Sequence, residues 1–263
     1  MADAFFEPDG ERFIPSELTR GPWDPGAQHA GPPAALMGRA LERCEERGDA
    51  QVARVTYDIL GPVPIAPLRV SARVARPGRS VELLEAELAG EDGRVVVRAT
   101  AWRIRTAELQ LPADLPGVEA QPPPGPETAS PAPFFDTGHD VGYHTAMDVR
   151  FVHGGFLDPG PAMVWMRPRV AIVAGEEPTP LQRVLVAADS GNGVSAVLDH
   201  SHYVFINTDL SVHLHRLPAG EWVCLDAVTL PEDHGVGMSD TALWDERGRL
   251  GRAVQSLFVA QRG

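Results

Sequence analysis

Residues 179–196, TPLQRVLVAADSGNGVSA, decide the fold because two different structures compete for them. Thr179 is a typical helix N-cap residue, and Pro180 would then occupy the first helical position, where its missing N–H costs nothing. Asp189 and the Gly-Asn-Gly turn after it are typical of a helix end. Apolar side chains recur between them at helical spacing, at Leu181, Val184, Leu185 and Ala188. The stretch therefore predicts a helix that ends at Asp189.

A dinucleotide-binding turn is the competing structure. Gly191–Ala196 match the G-x-G-x-x-G/A fingerprint if residues 184–187 form a strand, and Asp209 lies near the distance expected for a ribose-binding acid. That fingerprint needs further βαβ units, whereas nearly all of the chain after Ser201 has the pattern of strands. The sequence therefore disfavours a dinucleotide site.

Strand-like segments follow a helix in both halves of the chain. In the second half they are Tyr203–His215, Glu221–Thr229, Val236–Trp244 and Arg249–Ala260. In the first half a helix led by Pro32 and Pro33 comes first. It precedes Val52–Leu60, Leu68–Ala75, Ser80–Ala89 and Arg94–Arg105, whose order predicts an antiparallel meander.

Short matches relate the two halves. Val63-Pro64 corresponds to Leu217-Pro218, and Glu91–Arg94 corresponds to Glu246–Arg249, at a shift of about 154 residues. We therefore predict an α+β fold that contains two copies of one unit. In each unit a long central helix is wrapped by a curved antiparallel sheet.

A proline-rich segment separates the halves. Residues 111–133 read LPADLPGVEAQPPPGPETASPAP, a composition that excludes helix and predicts an extended, semi-rigid spacer. The predicted organisation is an N-terminal domain at 1–110, a linker at 111–135 and a C-terminal domain at 136–263.

Composition excludes several classes of protein and partner. The 263 residues are 43% hydrophobic and 22% charged, as expected for one large domain or two small ones. A formal net charge of -13 disfavours nucleic acid as a partner, because phosphate contacts need clustered Lys and Arg. Cys44 and Cys224 lie far apart in sequence, which predicts free thiols and a reducing compartment. No apolar stretch approaches the ~18 residues that span a bilayer. We expect a cytoplasmic protein without a membrane partner.

Asp189 has two interpretations. Asp, Ser, Asn and Gly are common where a helix ends, so Asp189 fits a purely structural turn. A carboxylate beside the partly negative end of a helix is also suited to accept a proton as a general base. Both interpretations can hold together.

The strand at 203–215 and the last strand offer further polar residues. Period-two alternation places Asn207, Asp209, Ser211, His213 and His215 on one face, opposite Ile206, Leu210, Val212 and Leu214. His213 and His215 are compatible with a metal, but no third ligand can be named, so we predict no metal. Gln255 stands in an apolar strand, where a buried amide can orient a water or a carbonyl.

These residues resemble the signature of the acyl-CoA thioesterase II (TesB-like) family, whose members fuse two hotdog domains. The second-domain pattern comprises Asp209-x-Ser211, His215-Arg216, Glu221-Trp222, Gly248 and Val254-Gln255. Gln28–Gly31 and the Ala/Leu-rich helix after them are similar to the family's glycine-led central helix. The linker is a further match. The resemblance implies a double hotdog in which each helix-in-a-sheet unit is one hotdog.

The resemblance also implies the reaction, hydrolysis of an acyl-CoA by an activated water, and the residues that perform it. Family catalysis uses an Asp, a Ser or Thr, and a Gln, of which the Asp falls on Asp189 and the Gln on Gln255. The hydroxyl position falls on Asn207, which is a departure, although a one-residue bulge could bring the adjacent Thr208 inward. Backbone N–H groups at a helix start, such as that of Gly31, are candidate oxyanion donors. No cofactor is implied.

Two rival functions remain on the same fold. A hotdog that binds an acyl thioester without hydrolysing it is favoured by the Asn207 departure. A hydratase or dehydratase needs a catalytic His with an acid, and His29 is the candidate. The double unit can act as a single chain or as a homo-oligomer. The substrate can be a thioester of CoA or of an acyl-carrier protein.

Overall fold

A computed structural model describes residues 3–112, 114 and 121–262. The elements of the first unit, in chain order, are β1 (Ala4–Asp9), β2 (Arg12–Pro15), a 3-10 turn (Glu17–Thr19), α1 (Gly31–Arg43), β3 (Ala50–Ile59), β4 (Leu68–Arg76), β5 (Val81–Gly90) and β6 (Val95–Arg105). The structure confirms the predicted helix and four strands. β1 and β2 were not predicted from the sequence.

The second unit repeats this order with additions. Its elements are α2 (Tyr143–Ala146), β7 (Met147–Gly155), β8 (Asp158–Pro168), β9 (Ala171–Val173), α3 (Pro180–Ala188), α4 (Gly191–Val194), β10 (Tyr203–Asn207), β11 (Asp209–Leu214), β12 (Val223–Pro231), β13 (Val236–Asp245) and β14 (Gly248–Gln261). The predicted strand at 203–215 is divided at Thr208 into β10 and β11. Among the described helices the longest, α1, has 13 residues, too few to cross a membrane.

The helix at 180–188 begins as its sequence predicts. The Thr179 hydroxyl accepts a hydrogen bond from the Gln182 N–H at 3.2 Å, and the Gln182 side-chain oxygen accepts one from the Thr179 N–H at 3.1 Å. This reciprocal capping box satisfies two N–H groups that a helix start leaves without partners. Residues 184–187 are therefore helical, and the dinucleotide alternative does not hold.

One continuous sheet joins the two units. Its strand order is β7-β8-β12-β13-β14-β11-β3-β6-β5-β4-β2-β1-β9, with β10 also paired to β14. The order β12-β13-β14-β11 mirrors β4-β5-β6-β3, and β11 pairs with β3 where the units meet. This mirrored order confirms the predicted double hotdog.

The predicted meander needs a correction. β4, β5 and β6 form a meander, but β3 pairs with β6 and with β11 and not with β4. Neighbours in sequence are the usual pairing partners, and this preference misled the prediction. β3 lies instead at the junction, where it closes its own unit on one side and joins the second unit on the other.

The two central helices pack on each other between the sheet surfaces. α1 also contacts β3, β4 and β5, and α3 contacts β8 and β12. Apolar side chains from both helices and from both sets of strands form one core cluster. The two units therefore share a single core.

The predicted linker lies partly outside the described residues, at 113 and 115–120. Its later part packs on the second unit: Trp165 Nε1 donates to the Pro124 carbonyl at 2.7 Å, and Ser130 pairs with Phe151 in β7. Residues 124–130 are therefore held against β7 and β8 and do not act as a free spacer. The division into 1–110, 111–135 and 136–263 stays a prediction.

Gly251 permits the close approach of β14 to β11, and replacing it tests the sheet. An added Cβ at Gly251 would lie 1.8 Å from the His213 carbonyl oxygen, so the two strands would have to separate. We expect Gly251→Ala to lower the free energy of unfolding by about 2 kcal/mol or more, at the upper end of overpacking effects. Urea unfolding measures this. Gly48→Ala is the control, because nothing lies within 4 Å of its added Cβ. Equal midpoints for the two variants would contradict this prediction.

Candidate active site

The end of α3 meets the start of α1, and this junction places Asp189. Gly31 packs on α3 so closely that an added Cβ would lie 2.4 Å from the Val186 carbonyl oxygen. Asp189 caps the C-terminal end of α3 and is only 8% exposed. A buried carboxylate is costly unless hydrogen-bond donors surround it. Asp189 therefore needs hydrogen-bond donors around it, and these donors define the site.

Two side-chain amides hold one oxygen of this carboxylate. Asn207 Nδ2 donates to Asp189 Oδ1 at 2.9 Å, and Gln255 Nε2 donates to the same oxygen at 3.2 Å. Gln255 Nε2 also lies 3.1 Å from the Asp189 main-chain oxygen, and the Asn192 N–H donates to Gln255 Oε1 at 3.1 Å. The structure thus brings together three residues selected from the sequence, Asp189, Asn207 and Gln255.

A β-bulge at Thr208 turns Asn207 toward Asp189. β10 pairs with β14 at Asn207 and Leu257, whereas β11 pairs with it at Ser211 and Val254. Three residues, 208–210, therefore lie opposite two, 255 and 256, and the extra residue reverses the alternation of side chains. Asn207 faces the core side before the bulge.

The prediction that Asn207 shares a face with the polar residues after it is therefore wrong. Leu210, Val212 and Leu214 are buried beyond the bulge, while His213 and His215 are exposed. Among the described residues, neither histidine belongs to a group of three close metal-binding side chains; such a group is Glu232, Asp233 and His234, all exposed.

The same bulge turns Thr208 outward, which corrects its predicted place in the site. Its side chain is exposed, and its hydroxyl donates to Asp209 Oδ1 at 3.4 Å. Asp209 Oδ1 also accepts the Ser256 N–H at 2.9 Å, so Asp209 stabilises the bulged strand. The predicted bulge exists, but it turns the side chain of Asn207, and not that of Thr208, toward the site.

His29 lies against the second oxygen of the carboxylate. His29 Nδ1 is 3.1 Å from Asp189 Oδ2, and the His29 ring stacks on Tyr143 with centroids 3.8 Å apart. Burial lowers the pKa of His29, and the nearby Asp189 charge opposes this shift. The sequence suggested His29 for another reaction but gave no sign that it touches Asp189.

Gly31 lies at the site, but its N–H is already hydrogen-bonded to another residue of the protein. This N–H donates to His29 Nδ1 at 3.1 Å. Pro32 and Pro33 follow and have no N–H, so Gly31 supplies the one backbone donor among the first three residues of α1. Its predicted role as an oxyanion donor requires that this N–H be released.

An apolar cleft opens beside Asp189. The cleft is narrow: its free volume is about 10 Å³, enough for about one water molecule. It is lined by Ala30, Pro33, Ala34, Tyr57, Ile59, Val97, Leu210 and Asp189. These side chains come from the start of α1, the end of α3, β3, β6 and β11, so the cleft lies where the two units meet. A carboxylate at the edge of an apolar cleft can act on a polar group at the end of an apolar chain.

The serine next to Asp189 and the two cysteines show no sign of activation as nucleophiles. Ser190 Oγ is hydrogen-bonded to the Tyr143 hydroxyl at 3.0 Å. Cys44 and Cys224 are free cysteines, and burial raises the pKa of both thiols. A thiol with a raised pKa is a weak nucleophile.

Comparison with protein families identifies the family of this chain. Residues 19–104 match the model of the acyl-CoA thioesterase N-terminal domain, and residues 126–259 match that of the acyl-CoA thioesterase C-terminal domain. The chain belongs to the acyl-CoA thioesterase family. It is an acyl-CoA thioesterase, an enzyme that hydrolyses acyl-CoA thioesters. The resemblance found in the sequence is confirmed.

Solved structures support the fold of this thioesterase. A Thermobifida fusca protein provisionally assigned as a thioesterase II is 18% identical with a TM-score of 0.74, covering 96% of this chain and 93% of the other. A hot dog fold protein of Alicyclobacillus acidocaldarius is 20% identical with a TM-score of 0.70, covering 99% and 97%. The acyl-CoA thioesterase II TesB2 of Mycobacterium marinum is 18% identical with a TM-score of 0.63, covering 90% of each chain. A comparison with curated proteins gave no match.

Neighbouring residues Asn207 and Thr208 offer a direct test of the bulge. We expect Asn207→Ala to lower kcat about 10-fold, because the carboxylate loses one of its two amide donors. Thr208→Ala should stay within about two-fold of the wild type, because its hydroxyl faces away from the site. Thiol release from an acyl-CoA measures both, with circular dichroism as the check on folding. A larger loss in Thr208→Ala would contradict the assignment of the inward side chain.

Proposed function

We propose that the enzyme hydrolyses acyl-CoA by direct attack of a water that Asp189 deprotonates. The observation that supports this most strongly is the buried Asp189 carboxylate, which accepts two amide hydrogen bonds at the edge of an apolar cleft. A carboxylate held in this way can take a proton without moving, which is what a general base requires.

The proposed reaction has two steps. In the first, the water oxygen bonds to the thioester carbon, the water proton passes to Asp189, and the carbonyl oxygen becomes an oxyanion. In the second, the carbon–sulfur bond breaks, and the leaving thiolate takes the proton from Asp189. The products are a free acid and a thiol, and the carboxylate is regenerated. Every proton is accounted for without a nucleophilic side chain or a cofactor.

The amides have different roles in this proposal. Gln255 is fixed at both ends, since its Nε2 donates to Asp189 and its Oε1 accepts from Asn192. Asn207 replaces the hydroxyl expected from the family resemblance, and its Nδ2 holds Asp189 Oδ1. An amide has both a donor and an acceptor, so Asn207 Oδ1 can also accept a hydrogen bond from the water. The departure at this position is therefore compatible with turnover.

The apolar cleft is the proposed site of the acyl chain, and it must widen to admit one because its free volume is about 10 Å³. Ala30, Pro33 and Ala34 form its wall on α1, and Tyr57 closes it with a hydroxyl that donates to the Ala34 carbonyl at 2.9 Å. Because the Tyr57 hydroxyl has a partner, the cleft presents mainly carbon atoms to a ligand. An acyl chain in this cleft would bring its carbonyl carbon to the edge where Asp189 lies.

A second candidate reaction rests on the contact between His29 and Asp189. A histidine beside a carboxylate is the pair that a hotdog hydratase or dehydratase needs, and the two groups lie 3.1 Å apart. Such an enzyme would add water to, or form, a carbon–carbon double bond in the acyl chain. The absorbance of an enoyl-CoA, followed beside thiol release, separates the two reactions.

The cellular setting is also part of the proposal. We propose that the enzyme acts in the cytoplasm, in the metabolism of lipids. The free thiols of Cys44 and Cys224 are compatible with a reducing compartment. A homo-oligomer of the double hotdog stays a prediction, which mass measurement in solution tests.

Replacing the base is the decisive experiment. We expect Asp189→Asn to lower thiol release by ~10²-fold or more, because the variant keeps the shape and loses the proton acceptor. Gln255→Ala should cause a smaller loss, since Gln255 orients the site and takes no proton. A panel of acyl-CoAs of increasing chain length supplies the substrates.

The matched control is Asp209→Asn, which alters a carboxylate on the bulge that does not face the cleft. Circular dichroism establishes that each variant is folded. Near-normal turnover in Asp189→Asn together with a folded but inactive Asp209→Asn would move the base to the strand and overturn the proposal.

A further inference from the structure

The ring of His29 is fixed in position by its neighbours. It lies parallel to the Tyr143 ring, with an angle of 8° between their planes. The Tyr143 hydroxyl in turn donates to the Val186 carbonyl at 2.7 Å in the last turn of α3. The His29 side chain is 14% exposed. The imidazole therefore has a defined orientation before any substrate arrives.

One nitrogen of this ring has two competing partners. His29 Nδ1 lies 3.1 Å from the Gly31 nitrogen and 3.1 Å from Asp189 Oδ2. An imidazole nitrogen has a single in-plane position, which holds either a lone pair or a proton. With a lone pair, Nδ1 accepts from the Gly31 N–H and faces the lone pairs of the carboxylate. With a proton, it donates to Asp189 and releases the Gly31 N–H.

We propose that His29 carries its proton on Nδ1 and donates it to Asp189 Oδ2, so that His29 is a positioning residue for the general base. This inference rests on the proposed role of Asp189. A hydrogen bond to an ionised acceptor is about twice as strong as one between neutral groups, so the carboxylate outcompetes the Gly31 N–H for this geometry. Both carboxylate oxygens are then held, Oδ1 by Asn207 and Gln255 and Oδ2 by His29.

The released Gly31 N–H has a consequence for the substrate. It is the one backbone donor among the first three residues of α1, at the partly positive end of the helix. When His29 is protonated at Nδ1, this N–H is free to donate to the thioester carbonyl oxygen. The same proton thus orients the base and frees the oxyanion donor.

The charge of His29 limits this arrangement at low pH. The ionisable side chains that contact the imidazole in the described part of the chain are Asp189 at its edge and Tyr143 across its face. Burial raises the pKa of Tyr143, which stays a neutral phenol, and burial lowers the pKa of His29 from 6.5. His29 is therefore neutral above its lowered pKa and becomes an imidazolium below it. A positive charge beside Asp189 weakens the carboxylate as a base, so turnover should fall as the pH drops through this range.

Three variants test the proposal by kinetics. His29→Phe keeps an aromatic ring against Tyr143 and removes the donor, and we expect kcat to fall about 10-fold with KM within about two-fold. His29→Asn keeps a donor near the position of Nδ1 but does not titrate. It should restore kcat to within about three-fold of the wild type and move the acid limb of the pH profile to lower pH. His144→Phe is the control, a nearby histidine that stacks on Phe134 and should leave kcat and the profile unchanged.

Nuclear magnetic resonance of the histidine ring nitrogens gives a readout that is independent of turnover. We expect the proton on Nδ1 in the wild type, and a changed Nδ1 signal in Asp189→Asn. A proton found on Nε2, wild-type kcat in His29→Phe, or equal losses in His29→Phe and His29→Asn with an unchanged pH profile would each overturn the inference. Failure of the proposed function has a different signature, because Asp189→Asn would then release thiol at the wild-type rate whatever the state of His29.

Discussion

The close contact between α1 and α3 is the constraint on which the structure depends. Gly31 lies against the Val186 carbonyl oxygen, and Gly38 lies so near Leu185 that an added Cβ would be 2.4 Å from its Cδ1 atom. Two glycines seven residues apart lie on one face of a helix, so α1 presents a smooth surface to α3. Each helix starts beside the end of the other, since the end of α1 also meets Thr179 through Glu42 at 2.7 Å. Any side chain at position 31 would push these ends apart.

The two ends of this helix pair differ although the units repeat. At one end amides from β10 and β14 surround a carboxylate. Asn207 pairs with Leu257 in the second unit, and Val52 pairs with Arg103 at the equivalent place in the first. Two residues before Leu257 stands Gln255, whereas two residues before Arg103 stands Ala101. A bulge follows both Val52 and Asn207, so the two units share this backbone feature. The first unit has apolar Val52 where the second has the amide side chain of Asn207. At the other end α1 is capped by Cys44, where α3 is capped by Asp189, and Arg39 forms an ion pair with Glu176 at 2.6 Å. One polar site in a symmetric fold therefore follows from a few side-chain differences on a shared backbone.

Periodicity in the sequence predicted most of the fold, because each strand and helix has one apolar face and that face must be buried. Periodicity could not reveal that Asn207 faces inward, because Asn207, Asp209 and Ser211 are polar at every second position, as on one regular strand face. The extra residue at Thr208 reverses the faces and leaves no mark on this pattern. Periodicity also missed β2, β7 and β8, and it missed β1 and β9, which are short and pair in parallel across 167 positions, from Ala4 to Ala171. Asp189 and Gln255 were predictable because a carboxylate at a helix end and an amide in an apolar strand each stand out locally. The contact of His29 with Asp189 is a property of the helix junction and has no local signal.

The site makes chemistry depend on assembly of the whole chain. Asp189 receives its donors from the segment before α1, from β10 and from β14, and these belong to different units. Burying a carboxylate costs several kcal/mol in an apolar surrounding, and three donors offset this cost only when all of them are in place. The first unit therefore supplies more than a scaffold, because without its helix start one carboxylate oxygen is left without a partner. An enzyme built in this way carries a buried carboxylate at a cost in stability, and the proposed role of Asp189 as the base, held at both oxygens beside the attacking water, accounts for that cost.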